Sequence, residues 1–246
     1  MIYIKKIKIK KILLSILKKA KVKHIISKSV ADGLIWASLR GIDSHGINLF
    51  PQYIKELKSG RLNKNPKIKI NNINNSFLSI DADHTFGHYA CDFAINKSIS
   101  LASKNGIVFS NVYNSSHCGA MSYFGHSLVQ EGNLIISMTQ ATPRIVLNNT
   151  KKVFFGNNPI SLICPIDKNR IFSYDSCVTT SSFNKIRTFA LNNKKLDPDL
   201  ALDKNFKMTQ NPNNAEFLLP IGGHKGTGLS LLVDILTGGL SGMRMA

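Results

Sequence analysis

Over residues 1–23 isoleucine and leucine alternate with lysine, as in a basic amphipathic helix, and residues 30–39 contain few polar positions. Residues 5–39 therefore predict two helices with a break near Lys21–Lys23. Gly41 is placed to stop the second, because glycine tolerates the dihedrals of a helix C-terminal cap. Residues 50–57 predict a third helix with Pro51 in its first turn and Gly60 at its end. Residues 63–75 are polar and lysine-rich, with Ile68, Ile70 and Ile73 pointing to a strand. Up to about residue 75 the pattern is that of a small, mostly helical unit.

The pattern then changes. Residues 77–80 form a short apolar strand, 81–87 a turn, and 89–104 a helix stopped by Asn105 and Gly106. A strand at 107–112, a helix at 121–131 and a strand at 134–138 predict one βα-type layer, and hence an α/β fold class. Residues 154–164 and 172–174 add strands, with turns at Gly156 to Pro159 and at Pro165 to Arg170. Residues 191–216, with Asp197-Pro198 and Asn211-Pro212, predict a long surface excursion. A glycine-rich segment at 222–228 then leads into an apolar helix at 229–236.

Composition narrows the class. A chain of 246 residues, 43% apolar and 19% charged, suits a globular protein with a sizeable core. The net charge of +18 would ordinarily raise nucleic acid as a partner. Only six of the 32 basic residues are arginine, however, and the lysines are mixed with isoleucine and asparagine throughout. With no zinc-finger spacing or RNA-binding sheet signature, specific nucleic-acid binding is not expected. Cys91, Cys118, Cys164 and Cys177 are widely spaced without a CxxC pair, which suggests free thiols in a reducing cytoplasm. No run approaches the roughly 18 apolar residues of a membrane span. The basic N-terminal helix is expected to be a solvated edge of the domain, the alternatives being a leader or a membrane-surface helix.

Candidate chemistry is concentrated in three places. Ser44 and His45 adjoin on a turn after a helix, where an imidazole can move a proton and a hydroxyl can orient it. A cap or an ordinary surface histidine would leave the same trace. Ser115 to Gly119, with His117, follows a strand and precedes a helix. Asp175 follows the apolar run ending at Tyr174, with Thr179 to Ser182 after it. Residues 222–228 precede a helix, so their backbone N–H groups and Lys225 could hold a phosphate. The spacing is not that of a Walker A loop, and no GxGxxG follows a first strand. His117 as a helix cap, Asp175 as an N-cap and the glycines as plain flexibility are the competing readings.

Taken in order, RGIDSHG at 40–46, SSHCGAMSYF at 115–124, FGNNP at 155–159, the strand with Asp175, and LLPIGGHKGTGL at 218–229 resemble the type 2 malate/L-lactate dehydrogenase family. The resemblance runs from about Ile12 to Gly242, and residues 40–46, 119–124 and 136–140 look most like its ureidoglycolate dehydrogenases. It implies a non-Rossmann α/β fold, with an N-terminal helical, substrate-side and dimer unit at 1–75 and a mixed-sheet cofactor domain at 76–246. It further implies an NAD(P)-dependent oxidoreductase of 2-hydroxy and 2-oxo acids, homodimeric, with no metal. His45 is then the general acid/base, with Ser44 and Asp175 completing a relay, or else His117 is the proton acceptor. Ala141, Ser176, Cys177, Lys225 and Gly226 fall at cofactor positions, and Tyr53 and Arg40 at substrate positions. Leu49 stands where many members carry an arginine for a substrate carboxylate, Asn157 replaces the threonine of FGTNP, and Asn184 a glycine. Members also continue well past the equivalent of residues 240–242, so an inactive, shortened relative is one alternative expectation, and a basic nucleic-acid or membrane-surface binding protein is the other.

Overall fold

The computed structural model describes residues 4–126, 132–146, 151–167 and 169–243. The chain divides into two compact units, Met1–Phe124 and Gly125–Ala246. The boundary expected near residue 75 falls inside the first unit.

The first unit opens with α1 (Lys6–Lys19) and α2 (His24–Ser38). Their antiparallel turn uses Lys21 at φ 61°, and the Val22 N–H donates to the Leu17 carbonyl at 3.0 Å. Leu13 and Leu17, four residues apart on α1, are buried against Ile26, Val30 and Leu34 of α2. The rest of α1 carries lysines together with the exposed Ile7, Ile12 and Ile16, and Lys10 and Lys28 both pair with Asp32. The helix α2 stops where expected, with Gly41 at φ 71° and the Ile42 N–H returning to the Ala37 carbonyl at 3.0 Å. Two short 3₁₀ turns, Asp43–His45 and Ile47–Leu49, lead into α3 (Phe50–Lys58), whose Phe50 and Tyr53 complete this core.

A three-stranded sheet follows in the same unit. The strand β1 (Lys69–Asn74) pairs antiparallel with β2 (Phe77–Asp81). The helix α4 (Gly87–Asn105) then carries the chain across to β3 (Phe109–Tyr113), parallel to β2. Parallel strands need such a crossover. The short α5 (Ser122–His126) starts the helix expected at 121–131, whose remainder lies outside the described residues.

The second unit holds two sheets. In one, β4 (Ile135–Met138), β7 (Ile160–Pro165) and β8 (Ile171–Ser176) run antiparallel in the order β4-β7-β8. In the other, β5 (Ile145–Val146), β6 (Val153–Phe155), β9 (Ala201–Leu202) and β10 (Phe217–Leu218) lie in the order β6-β5-β10-β9. The strands expected to share one layer, β3 and β4, are therefore in different sheets, since β3 pairs with β2 and β4 with β7. As the turn expected at Gly156 to Pro159 requires, the run 154–164 is split between β6 and β7.

Asn158 explains that split. It sits at φ 26° and is fully buried. Its Nδ2 donates to Asp234 Oδ1 at 2.8 Å and to the Ser230 carbonyl at 3.1 Å, and its Oδ1 accepts the Ala141 N–H at 3.0 Å. A side chain so occupied draws the backbone out of strand geometry and ties the turn to α7 (His224–Asp234). That helix begins five residues before the expected start at 229, taking most of the glycine segment into its first turns. The excursion at 191–216 is also less superficial than its polarity suggests, because Leu196, Ala201 and Leu202 are buried. Leu196 and Ala201 pack with Ile186 of α6 (Phe183–Leu191), which is capped by Ser182, whose hydroxyl accepts the Lys185 N–H at 3.2 Å.

Asn158→Ala removes three hydrogen bonds from a dry site and is expected to cost about 2–4 kcal/mol, read as a fall in denaturation midpoint. Asn158→Asp sets a second carboxylate beside buried Asp234, and should be the more damaging of the two.

Candidate active site

The first unit brings Ser44, His45, Tyr53 and His117 together. Gly46 is pressed onto the end of α2, where a Cβ would lie 2.3 Å from Ser38 Oγ. That hydroxyl accepts the Ile47 N–H at 2.9 Å and pins the turn. The two glycines of the motif thus act differently, Gly41 through its dihedrals and Gly46 through its lack of bulk. His45, half-buried on this turn, has its Nδ1 2.9 Å from Ser44 Oγ.

His117 arrives from the other side of the sequence, on the loop after β3. Gly87 anchors that loop to the start of α4: its N–H donates to Ser116 Oγ at 2.8 Å, and a Cβ there would meet the Ser116 carbonyl at 2.2 Å. The imidazoles of His45 and His117 then stack, with centroids 5.6 Å apart and planes 19° from parallel.

The tautomer of His117 follows from its partners. The Gly119 N–H, which can only donate, points at Nδ1 from 3.3 Å, so that nitrogen is an acceptor. Tyr53 Oη, 2.7 Å from the same nitrogen, is therefore a donor. Burial holds the Tyr53 hydroxyl well above its usual range, aided by Cys118 and Glu56, so it stays protonated. The neutral ring of His117 consequently carries its hydrogen on Nε2. Desolvation by the surrounding protein, and secondarily the neighbouring His45, push the His117 pKa down to about 4. Its edge remains accessible, and water reaching that edge moderates the effect.

The two residues expected at substrate positions are both engaged within the protein. Tyr53 is only 2% exposed with its hydroxyl on His117. Arg40 lays its guanidinium 4.0 Å from the centre of the Trp36 ring and donates to the Trp36 carbonyl at 3.4 Å. Leu49 packs against the first core and offers no cation.

In the second unit Asp175 is exposed on β8 opposite Ser161 and does not follow the strand as expected. Ser176 Oγ donates to the Cys177 carbonyl at 3.1 Å, and the Cys177 thiol to the Thr179 carbonyl at 3.4 Å. Gly226 packs against the exit from this strand, for a Cβ there would lie 2.5 Å from the Ile221 carbonyl and 2.9 Å from that of Val178. The backbone nest expected at 222–228 is largely spent internally. The N–H groups of Lys225, Gly226 and Thr227 donate to Gly222, Ile221 and Gly223, and the Ala141 N–H to Asn158. What the segment offers an anion is the exposed Lys225 side chain at the positive end of an 11-residue helix with no acidic residue in its first turn.

Sequence reasoning passed over His88. It lies one residue inside α4, 1% exposed, with neither ring nitrogen hydrogen-bonded. Its ring is 5.8 Å from that of Tyr53. The only available signal was a histidine on a helix face otherwise made of Gly87, Ala90 and Ala94, which a cap would also produce.

The profile of malate/L-lactate dehydrogenases matches residues 4–246. The chain belongs to that family. Among relatives, malate dehydrogenase of Pyrococcus abyssi is 35% identical over 226 residues, 88% of this chain and 62% of its own length. The NAD(+) ureidoglycolate dehydrogenase of Escherichia coli O157:H7 is 29% identical over 215 residues, 87% of this chain and 62% of its own length. The crystal structure of malate dehydrogenase from Entamoeba histolytica superposes with a TM-score of 0.93 at 27% identity, covering 98% of this chain and 72% of the other. The chain thus spans about 62% of the length of the curated relatives first matched. Family membership accounts for the α/β fold and for the order of the motifs.

The buried imidazole has a pH signature. Desolvation, then the charges of His117 and His45, lower the His88 pKa to about 3. The unfolded chain binds a proton near pH 6.5 that the folded chain refuses. Stability from His88 is therefore complete above pH 6.5 and declines as pH falls toward 3. His88→Leu should flatten the dependence of the denaturant midpoint on pH between 7 and 4, by up to one proton's worth of slope.

Proposed function

We propose that this protein is an NAD(P)-dependent 2-hydroxyacid dehydrogenase, acting on a small ureidoglycolate-, malate- or lactate-like acid and its 2-oxo counterpart. The observation carrying this reading is the stacked imidazole pair, with Ser44 on Nδ1 of His45 and Tyr53 on Nδ1 of His117. Interconverting a hydroxyl and a carbonyl requires one proton moved at one oxygen. A neutral His117 presenting Nε2–H is a hydrogen-bond donor to a carbonyl oxygen, and His45 beside it can exchange the proton. Desolvation, and then positive charge on His45, disfavour protonation of His117 and keep that ring neutral. Ser44 is the further member of this relay in the first unit; Asp175, the other residue expected in it, is exposed on β8 of the second.

NAD or NADP, when bound, supplies or accepts the hydride. Lys225 fits a cofactor phosphate in charge and position, and Gly226 lets the first turn of α7 lie against the segment after Ser176 and Cys177. Ala141 contributes by holding Asn158 and the turn around it. The reading also takes the active form to be a cytoplasmic homodimer. Supporting a second copy on the dimer unit expected at 1–75, Ile7, Ile12 and Ile16 on α1 are 72%, 41% and 38% exposed.

The test is a thermal melt with and without NADH and NADPH, followed by 2-oxoacid reduction in wild type and in His45→Ala and His117→Ala. A cofactor at a hundred times its dissociation constant stabilises by about 2.7 kcal/mol, so a clear rise in midpoint is expected. Turnover in each variant should fall about 10²–10⁴-fold. A cooperative melt that neither cofactor shifts would favour an inactive relative instead.

A further inference from the structure

His88 is the most enclosed titratable group beside the two stacked histidines, and the proton chemistry above makes no use of it. Its surroundings are unusual for a buried imidazole. A Cβ on Gly33 of α2 would lie 2.3 Å from His88 Cδ2, and one on Gly119 would lie 2.4 Å from its Nε2. The ring therefore occupies the space that two glycines leave open, one on a helix and one on the turn after His117. Gly119 is at φ 80°, so its backbone conformation as well as its lack of bulk favours glycine. Tyr53 meets the ring edge-on at 5.8 Å, and Phe124 lies at 6.3 Å, tilted by 54°. His88 thus touches α2, α3, α5 and the His117 turn at once.

Both donors that define the tautomer of His117 come from groups resting on this ring. Tyr53 supplies the O–H and Gly119 the N–H. We propose that His88 is a positioning residue: its flat ring, wedged between Gly33 and Gly119 and against Tyr53, holds the Tyr53 hydroxyl and the Gly119 N–H on His117 Nδ1. Shape is the operative property. A planar ring fits between two backbone segments in van der Waals contact, whereas a branched aliphatic side chain of similar volume is too thick for the slot and leaves its edges unfilled. Burial keeps the ring uncharged, so the support places no second positive charge under a group that must exchange a proton. The inference about geometry stands on the hydrogen bonds alone; its catalytic meaning rests on the dehydrogenase reading.

Nitrogen-15 histidine spectra of the intact chain separate the two. In wild type His117 should show two well-separated ring nitrogens, protonated Nε2 and unprotonated Nδ1. His88→Leu should draw the two shifts together as both tautomers become populated. His88→Phe, which keeps a flat ring in the slot, should restore the separation. His88→Ala, where it folds, should behave as His88→Leu does. An unchanged separation in His88→Leu overturns the proposal, and so does a collapse in His88→Phe equal to that in His88→Leu. In 2-oxoacid reduction His88→Leu should lower kcat at least tenfold while the midpoint shift with cofactor persists. A protein that reduces no 2-oxoacid would defeat the dehydrogenase reading and leave the spectra to judge His88.

Discussion

The hydrogen bond from Tyr53 Oη to His117 Nδ1, 2.7 Å long, organises the first unit. It joins residues 64 positions apart and converts an ambiguous imidazole into one with a defined donor and a defined acceptor face. Each part of the surrounding structure serves one end of it. The core of α1, α2 and α3 buries Tyr53 and keeps its hydroxyl protonated. The contact of Gly87 with Ser116 fixes the loop that carries His117.

Charge follows from the same geometry. Three imidazoles crowd together, and desolvation together with neighbouring imidazole charge resists adding protons to His88 and His117. A buried third ring that stays neutral does not compete for a proton with the stacked pair. The second unit contributes differently, by close backbone approach. Gly156 and Gly226 lie where a Cβ would meet carbonyl oxygens at 2.2 and 2.5 Å, and Asn158 clamps the turn between β6 and β7 to α7.

Local signals made part of this legible in the sequence. Gly41, Pro51 and Gly60 punctuate the helices where they do because each acts through its own dihedrals. The Ser44-His45 pair is adjacent in the chain, so its contact needed no tertiary knowledge. The rest depends on distant partners. The turn at Gly156 to Pro159 is legible but its clamp to Asp234 is not, and 222–228 look like an open loop until Ile221 accepts the Gly226 N–H. Polar composition hid Leu196 and Ala201, whose burial depends on α6. Neither Tyr53 nor His88 reveals its neighbour in sequence, so their contact with each other and the bond to His117 are not legible there.

The most direct measurement of the central claim is the kinetics of Tyr53→Phe, which removes one oxygen and keeps the ring in its packing against Phe86 and His88. The account predicts that kcat for 2-oxoacid reduction falls at least tenfold while the cofactor still raises the melting midpoint as it does in wild type. A turnover equal to wild type, with the fold intact, would contradict it.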